Sequence, residues 1–133
     1  MMAFHEALMR FWQQFGMPVF VEGCVDDGTP FPYMTIRITE GTLMGSAILI
    51  ATSWHQKAVG ESMTVAMRER GAFLDAAEQA IPVEGTMIRY GGGYAILYRP
   101  PADFLSYAVD AEDPTIIGGR VSYEVRFFRS GKE

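Results

Sequence analysis

The sequence predicts one α+β domain: an antiparallel or mixed β-sheet with two helices packed on one face. Three observations lead there. The 133 residues suit one compact domain and are too few for two ordinary ones. Two stretches carry apolar residues at helical spacing, and several others alternate with a period of two. The alternating runs follow one another through short turns rich in Gly and Pro, which builds an antiparallel or mixed sheet with its helices segregated to one side.

The elements follow in order. Phe4, Leu8, Phe11 and Phe15 fall on one helical stripe, widened by Trp12, so an amphipathic helix opens the chain. Gly16 and Pro18 stop it. Val19 to Glu22 reads as a short strand, and Gly23 to Pro32, with Asp26, Asp27, Gly28 and Pro30, as a loop. Tyr33 to Thr39 alternates, with Tyr33, Thr35, Arg37 and Thr39 opposite Met34, Ile36 and Ile38. Gly41 turns the chain into a strand from Thr42 to Trp54, whose segment Ala47 to Ile50 is apolar throughout and so is expected to be covered on both faces.

A second helix is predicted from about Glu61 to Ala80, with Met63, Met67, Arg70, Leu74, Ala77 and Ile81 on one face, flanked by Ala66 and Phe73. Gly71 inside it costs about 1 kcal/mol relative to Ala and marks a place for a kink. Pro82 ends it. Thr86 to Tyr90 and Tyr94 to Tyr98 form a hairpin around Gly91-Gly92-Gly93, since glycine supplies the positive φ of tight turns. Pro100 and Pro101 close the second arm. Ala102 to Gly119 is expected as a long connection, and Val121 to Phe128 as the final strand, with Val121, Tyr123, Val125 and Phe127 on one face.

Composition narrows the function. An apolar fraction of 49% and a charged fraction of 20% belong to an ordinary globular chain, large enough to bury a core without disulfides or metals. The net charge is −5. Arg68 and Arg70 are interleaved with Glu69, and Arg126 and Arg129 stand apart, so no basic cluster is present to displace counterions from a nucleic acid. One cysteine, Cys24, cannot form an internal disulfide. His5, Glu6 and Arg10 interrupt the first helix, so it is not expected to act as a signal peptide. No run approaches the roughly 20 apolar residues of a membrane span. The expected place is the cytoplasm, or a particle assembled there.

The usual reactive sets are missing. His5 and His55, far apart and with a single Cys, make no zinc ligand set, and both read as surface or rim histidines. Cys24 with either His is a conceivable nucleophile pair, but reads first as a small buried hydrophobe. The three glycines lie between apolar strands and open no helix, unlike a phosphate loop. Asp26 and Asp27, and the cluster of Asp110, Glu112 and Asp113, are oxygen donors without the spacing of a calcium loop, and read as solvated loop acids. The second group is also placed to make polar contacts at a subunit interface. No catalytic, cofactor or metal site is assigned, and the chain is expected not to be an enzyme.

The connection after Tyr98 is unusual for so small a domain, because long loops are uncommon and tend to carry function. It holds apolar and aromatic residues, which on a loop are either tucked onto the core or buried against a partner. The candidate interface residues are therefore Phe104, Leu105, Tyr107, Asp110, Asp113, Ile116 and Ile117.

The order of these features resembles the small tail-terminator, or tail-completion, proteins of long-tailed phages and prophages. The likeness runs from Phe11 to Phe128. An opening helix is followed by a strand and a Pro-containing loop, matched by Phe15 to Ile36, with Phe31-Pro32-Tyr33-Met34-Thr35-Ile36 at its centre. Then come Ser53-Trp54, the hairpin Gly91-Gly92-Gly93-Tyr94-Ala95-Ile96-Leu97-Tyr98-Arg99, an acidic loop from Pro101 to Asp113, and a last strand from Arg120 to Phe128. No single motif is specific; their order and spacing carry the likeness. The second helix is longer than the family's, and the loop after Pro101 differs in detail. The resemblance implies a structural virion protein assembled in a bacterial cytoplasm, a homo-oligomeric ring, commonly a hexamer. The ring would cap the tail tube and join it to the head, with the major tail tube protein and the head-tail connector as partners, and with neither nucleic acid nor membrane bound directly. Another neck or minor capsid component, a small-molecule-binding regulatory α+β domain, and an enzyme relying on carboxylates and backbone groups are the alternatives.

Overall fold

A computed structural model describes residues 2–37 and 46–129. Along the chain run α1 (Phe4–Gln13), β1 (Val19–Val21), β2 (Tyr33–Arg37), β3 (Ser46–Gln56), α2 (Thr64–Ala80), β4 (Thr86–Tyr90), β5 (Gly93–Tyr98), β6 (Leu105–Val109) and β7 (Ile116–Arg129). This is the α+β domain that the periodicities predict. The predicted turn at Gly41 and the flanking positions 38–45 lie outside the described residues.

α1 forms because its apolar stripe has a surface to cover. Glu6 accepts the amide of Ala3 at 2.9 Å and closes the first turn, and Gly16, at φ 83°, ends the segment. Leu8 and Trp12 are fully buried, with Phe4, Phe11 and Phe15 packed around them. α2 is continuous through Gly71, without the break allowed for there. Its buried side is Ala66, Phe73, Leu74 and Ala77, whereas Met67 is exposed. The predicted face is thus rotated toward Phe73, because Trp12 and Phe15 of α1 meet that ring with centroids 6.3 and 5.5 Å away. The last turn of α2 is held from outside: Arg99 donates to the carbonyls of Ile81 (2.7 Å) and Glu78 (2.9 Å), two groups a helix end otherwise leaves open.

The strands make one seven-stranded sheet in the order β1-β2-β3-β7-β5-β4, with β6 also on β7. Among the described residues β1 and β2 run parallel and every other pair is antiparallel. β3 follows β7 along one side from Ser46↔Arg126 to Gln56↔Ile116. On the other side of β7, β6 takes Ile117 to Val121 and β5 takes Glu124 to Arg129. The amide of Ser122 bridges the gap by donating to Phe104 O at 2.9 Å.

Two glycines permit close approaches. A side chain at Gly93 would collide with the carbonyl of Phe128, so the β5–β7 pairing requires its absence. A Cβ at Gly119 would press on Leu74 and Arg70 at 3.1 and 3.2 Å, so this glycine lets α2 lie directly on β7.

Both helices cover the face of the sheet that carries Met34, Ile36, Leu49, Ala51, Leu97, Val121, Tyr123 and Val125, all essentially inaccessible. Each fully buried aliphatic side chain here stabilises the fold by about 1.5–3 kcal/mol. Among the described residues no helix lies over the opposite face. Ala47 to Ile50 is therefore not covered on both sides as expected: Leu49 is buried, but Ile48 is 54% exposed.

The region from Ala102 to Gly119 departs most from expectation. It is a β-hairpin, β6 and the first part of β7, rather than a long connection. The turn between them is built by carboxylates. Asp110 Oδ1 accepts the amides of Glu112 (2.8 Å) and Asp113 (3.0 Å), and Asp113 Oδ1 accepts the amide and hydroxyl of Thr115.

Candidate functional site

The hairpin sorts the seven candidate interface residues. Leu105, Tyr107 and Val109 alternate onto the helix side of the sheet, opposite Val121, Gly119 and Ile117 of β7. Leu105 and Phe104 pack against the core, and the Arg99 guanidinium lies 4.9 Å from the Phe104 ring. Tyr107 remains 68% exposed beside α2, with the Arg70 guanidinium 3.9 Å from its ring centroid. Ile116 is half-buried. Ile117 is only 6% exposed and paired with His55, so it is a sheet residue of the subunit and not a free contact. Asp110 and Asp113 are spent on the turn; two hydrogen bonds from Thr115 hold the Asp113 carboxyl below its usual range. Val109, absent from the prediction, is 72% exposed. Its signal lay in the Leu105, Tyr107, Val109 alternation, which becomes visible only once the segment is read as a strand.

A second surface is the open face of the sheet. Near the C-terminal half of β7 it presents Ile48, Met87 and Phe128, all exposed, with Tyr94 stacked on Phe128 at 5.0 Å. Farther along, Trp54 donates to Thr35 Oγ1 at 3.0 Å, and Tyr33 pairs with Trp54. Beside them Glu22 holds Arg37 through both oxygens, at 2.8 and 3.2 Å.

His55 is not the surface or rim residue that its place at a strand end implied. It is buried under α2, with Nε2 2.8 Å from Ser53 Oγ and Nδ1 3.3 Å from Glu69 Oε1. Two residues apart on β3, Ser53 and His55 point to the same face, and α2 brings Glu69 over them. Burial lowers the His55 pKa; Glu69 works against that shift and Arg70 adds to it. The neutral ring donates from Nδ1 to Glu69 and accepts the Ser53 hydroxyl at Nε2. Hydroxyl, imidazole and carboxylate thus stand in the order that activates a serine nucleophile, but Ser53 is completely inaccessible. Its hydroxyl, closed off from solvent, fastens the ring from within.

His55 and Glu69 also line a cleft of about 370 Å³ together with Phe15, Met17, Pro32 and Phe73. Cys24, expected to be a small buried hydrophobe, is instead exposed and does not line this cleft. Among the described residues no three His, Cys, Asp or Glu side chains are grouped to hold a metal ion, and no helix is long and apolar enough to cross a membrane.

No protein-family model matches the chain, and no curated protein matches it. Among solved structures, a protein whose name states no function is similar in fold. It superposes with a TM-score of 0.56 at 15% identity, over 98% of this chain and 94% of that one.

Proposed function

We propose that this chain is a structural subunit of the tail-terminator type, which closes into a ring at the head end of a phage tail. One observation carries the reading: two unlike apolar surfaces stand open on different sides of the domain. One is the edge strand β6 with Tyr107 and Val109, on the helix side; the other is the bare sheet face with Ile48, Met87 and Phe128. A ring is built from head-to-tail contacts, and each subunit must present two different, complementary patches. Tyr107 lies opposite Gly119, and Phe128 is farther along the same strand by roughly 30 Å. The two patches are therefore far enough apart to meet two neighbours at once. The remaining ring surfaces would meet the tail tube protein and the head connector. Binding of this kind uses shape and apolar contact and asks for no reactive group.

The test is sedimentation velocity over a wide range of concentration, with negative-stain imaging of the largest species. Closed rings are expected as concentration rises. A chain that stays monomeric to its solubility limit overturns the reading.

The cleft beside His55 and Glu69 favours a second reading, a small-molecule-binding domain, since its volume is within the range of ligand sites. That reading requires a metabolite that raises the unfolding midpoint in proportion to its binding, and an effect lost in Glu69→Gln. A metabolite screen without such a hit removes it.

A further inference from the structure

The open sheet face has a mostly polar line through its middle, of which the fold itself uses the Thr35 hydroxyl, the acceptor of the Trp54 indole N–H. Register places Phe20, Thr35, Thr52, Arg120 and Ser106 side by side across five strands. Thr35, Thr52 and Ser106 bring hydroxyls, and Arg120 brings the one cation of the row. The neighbouring row, Tyr33, Trp54, Gly118 and Ala108, is aromatic at one end and nearly flat at the other.

Arg120 Nε is shut off from solvent and has no hydrogen-bond partner among the described residues. A buried donor left unpaired is costly, more so on a charged group. Two carboxylates on this face, among the described residues, are occupied. Glu22, whose carboxyl feels the Arg120 charge, is held by Arg37. Glu124, on the same face, accepts Arg126 Nε at 3.2 Å. Arg120 as a whole is only half-buried, so the accessible part of its guanidinium, not the enclosed Nε, is what an acceptor from outside would meet, and the fork of a guanidinium fits a carboxylate best.

We infer that this face is the seat for a second copy of the chain, whose acidic β6–β7 turn places Glu112 against Arg120. The inference rests on the ring reading and names its contact. The turn is suited to the role. Asp110 and Asp113 are consumed in stiffening it, which leaves the exposed Glu112 as its outward carboxylate, next to the exposed Val109. It continues the β6 edge that carries Tyr107, so one protruding hairpin supplies apolar contact and charge together. In a chain with 16 acidic and 11 basic residues, an unpaired Arg on an open face also sets which surface attracts the turn and which surfaces repel it.

The experiment compares self-association of the full chain with Arg120→Glu, Glu112→Arg and the doubly reversed variant by sedimentation velocity. Each single reversal is expected to weaken association roughly 30-fold or more, and the double reversal to restore most of it. Single variants that associate like the parent, or a double variant no better than the weaker single, overturn the inference and leave the ring reading standing. A parent chain that never associates overturns both. Arg120→Met guards against a folding artefact. It is expected to raise the unfolding midpoint of the monomer, by removing an unpaired donor, while weakening association. A lowered midpoint would show that Arg120 serves the fold of its own subunit, and the inference would fail.

Discussion

The indole of Trp12 donates to the phenol oxygen of Tyr123 at 3.1 Å inside the core, and so ties the first helix to the last strand. Both side chains are fully buried, and their rings lie 5.4 Å apart. Burial raises the phenol pKa well above its usual value, so Tyr123 stays neutral throughout the working range. Tyr123→Phe keeps the ring and removes the acceptor. The Trp12 N–H is then buried without a partner, at a cost of about 1–3 kcal/mol. The check is a lowered urea midpoint with an unchanged slope. Trp12→Phe in the same chain removes the orphaned donor, so the double variant is expected to lose less than the sum of the two single losses.

Tyr107 and Phe104 are close in sequence but differ in burial: Phe104, just before β6, packs on the core, and Tyr107 stays exposed. Tyr107→Asp changes an exposed ring whose main neighbour is the Arg70 guanidinium. It is expected to leave the thermal midpoint nearly unchanged and to abolish association. Phe104→Asp places a charge among core side chains and is expected to cost about 2–4 kcal/mol of stability, the usual range for losing a packed aromatic and burying an unpaired charge. Calorimetry and sedimentation on both variants separate the two effects. A Tyr107→Asp chain that unfolds would place that ring in the core.

Gly93 offers a sharper test of the sheet. Gly93→Ala puts a methyl group into the carbonyl of Phe128, so either β5 or the end of β7 must shift. The expected loss is about 3 kcal/mol or more, the size typical of a forced backbone clash. Hydrogen exchange should report it as lost protection in Ala95 and Phe127, which are paired in the native sheet. Gly71→Ala, where an added methyl meets nothing within 4 Å, is expected to stabilise the helix by about 1 kcal/mol.

Local pattern carried most of the fold. The stripe of Phe4, Leu8 and Phe11 and the alternation of Val121, Tyr123 and Val125 report burial directly, because one element covers one side of each. The face of α2 was misread because two helices share that layer, and the rings of α1 decide which side of α2 turns inward. β6 was missed because Ser106 interrupts a five-residue strand that Asp103 and Asp110 flank, and the stretch of β7 that stabilises it contains Gly118 and Gly119, which look like a turn. The burial of His55 was illegible for a similar reason. Nothing within β3 announces Glu69, which arrives from α2 only after folding. Arg120 gave no sign at all, since a buried donor without a partner among the described residues is defined by neighbours that only folding brings together.

His55 makes the stability of the fold depend on pH in a predictable direction. Burial is the largest influence on its ring and lowers the pKa, and Arg70 lowers it further; the half-exposed Glu69 opposes them without prevailing. In the unfolded chain the imidazole gains its proton near pH 6.5, whereas the folded ring stays neutral to lower pH. Below about 6.5 the unfolded state therefore binds more protons, and stability, complete above that pH, declines as pH falls through the interval down to the folded value. Glu22 and Asp113 also have lowered pKa values, but their contributions fade only in the carboxylate range, so the two windows separate. His55→Gln, which retains hydrogen-bonding groups and cannot titrate, is expected to flatten the curve between pH 6.5 and pH 5 while leaving the acid limb in place. Chemical denaturation of both chains across that interval decides it. An unchanged slope in the variant would mean that His55 is not the group that titrates.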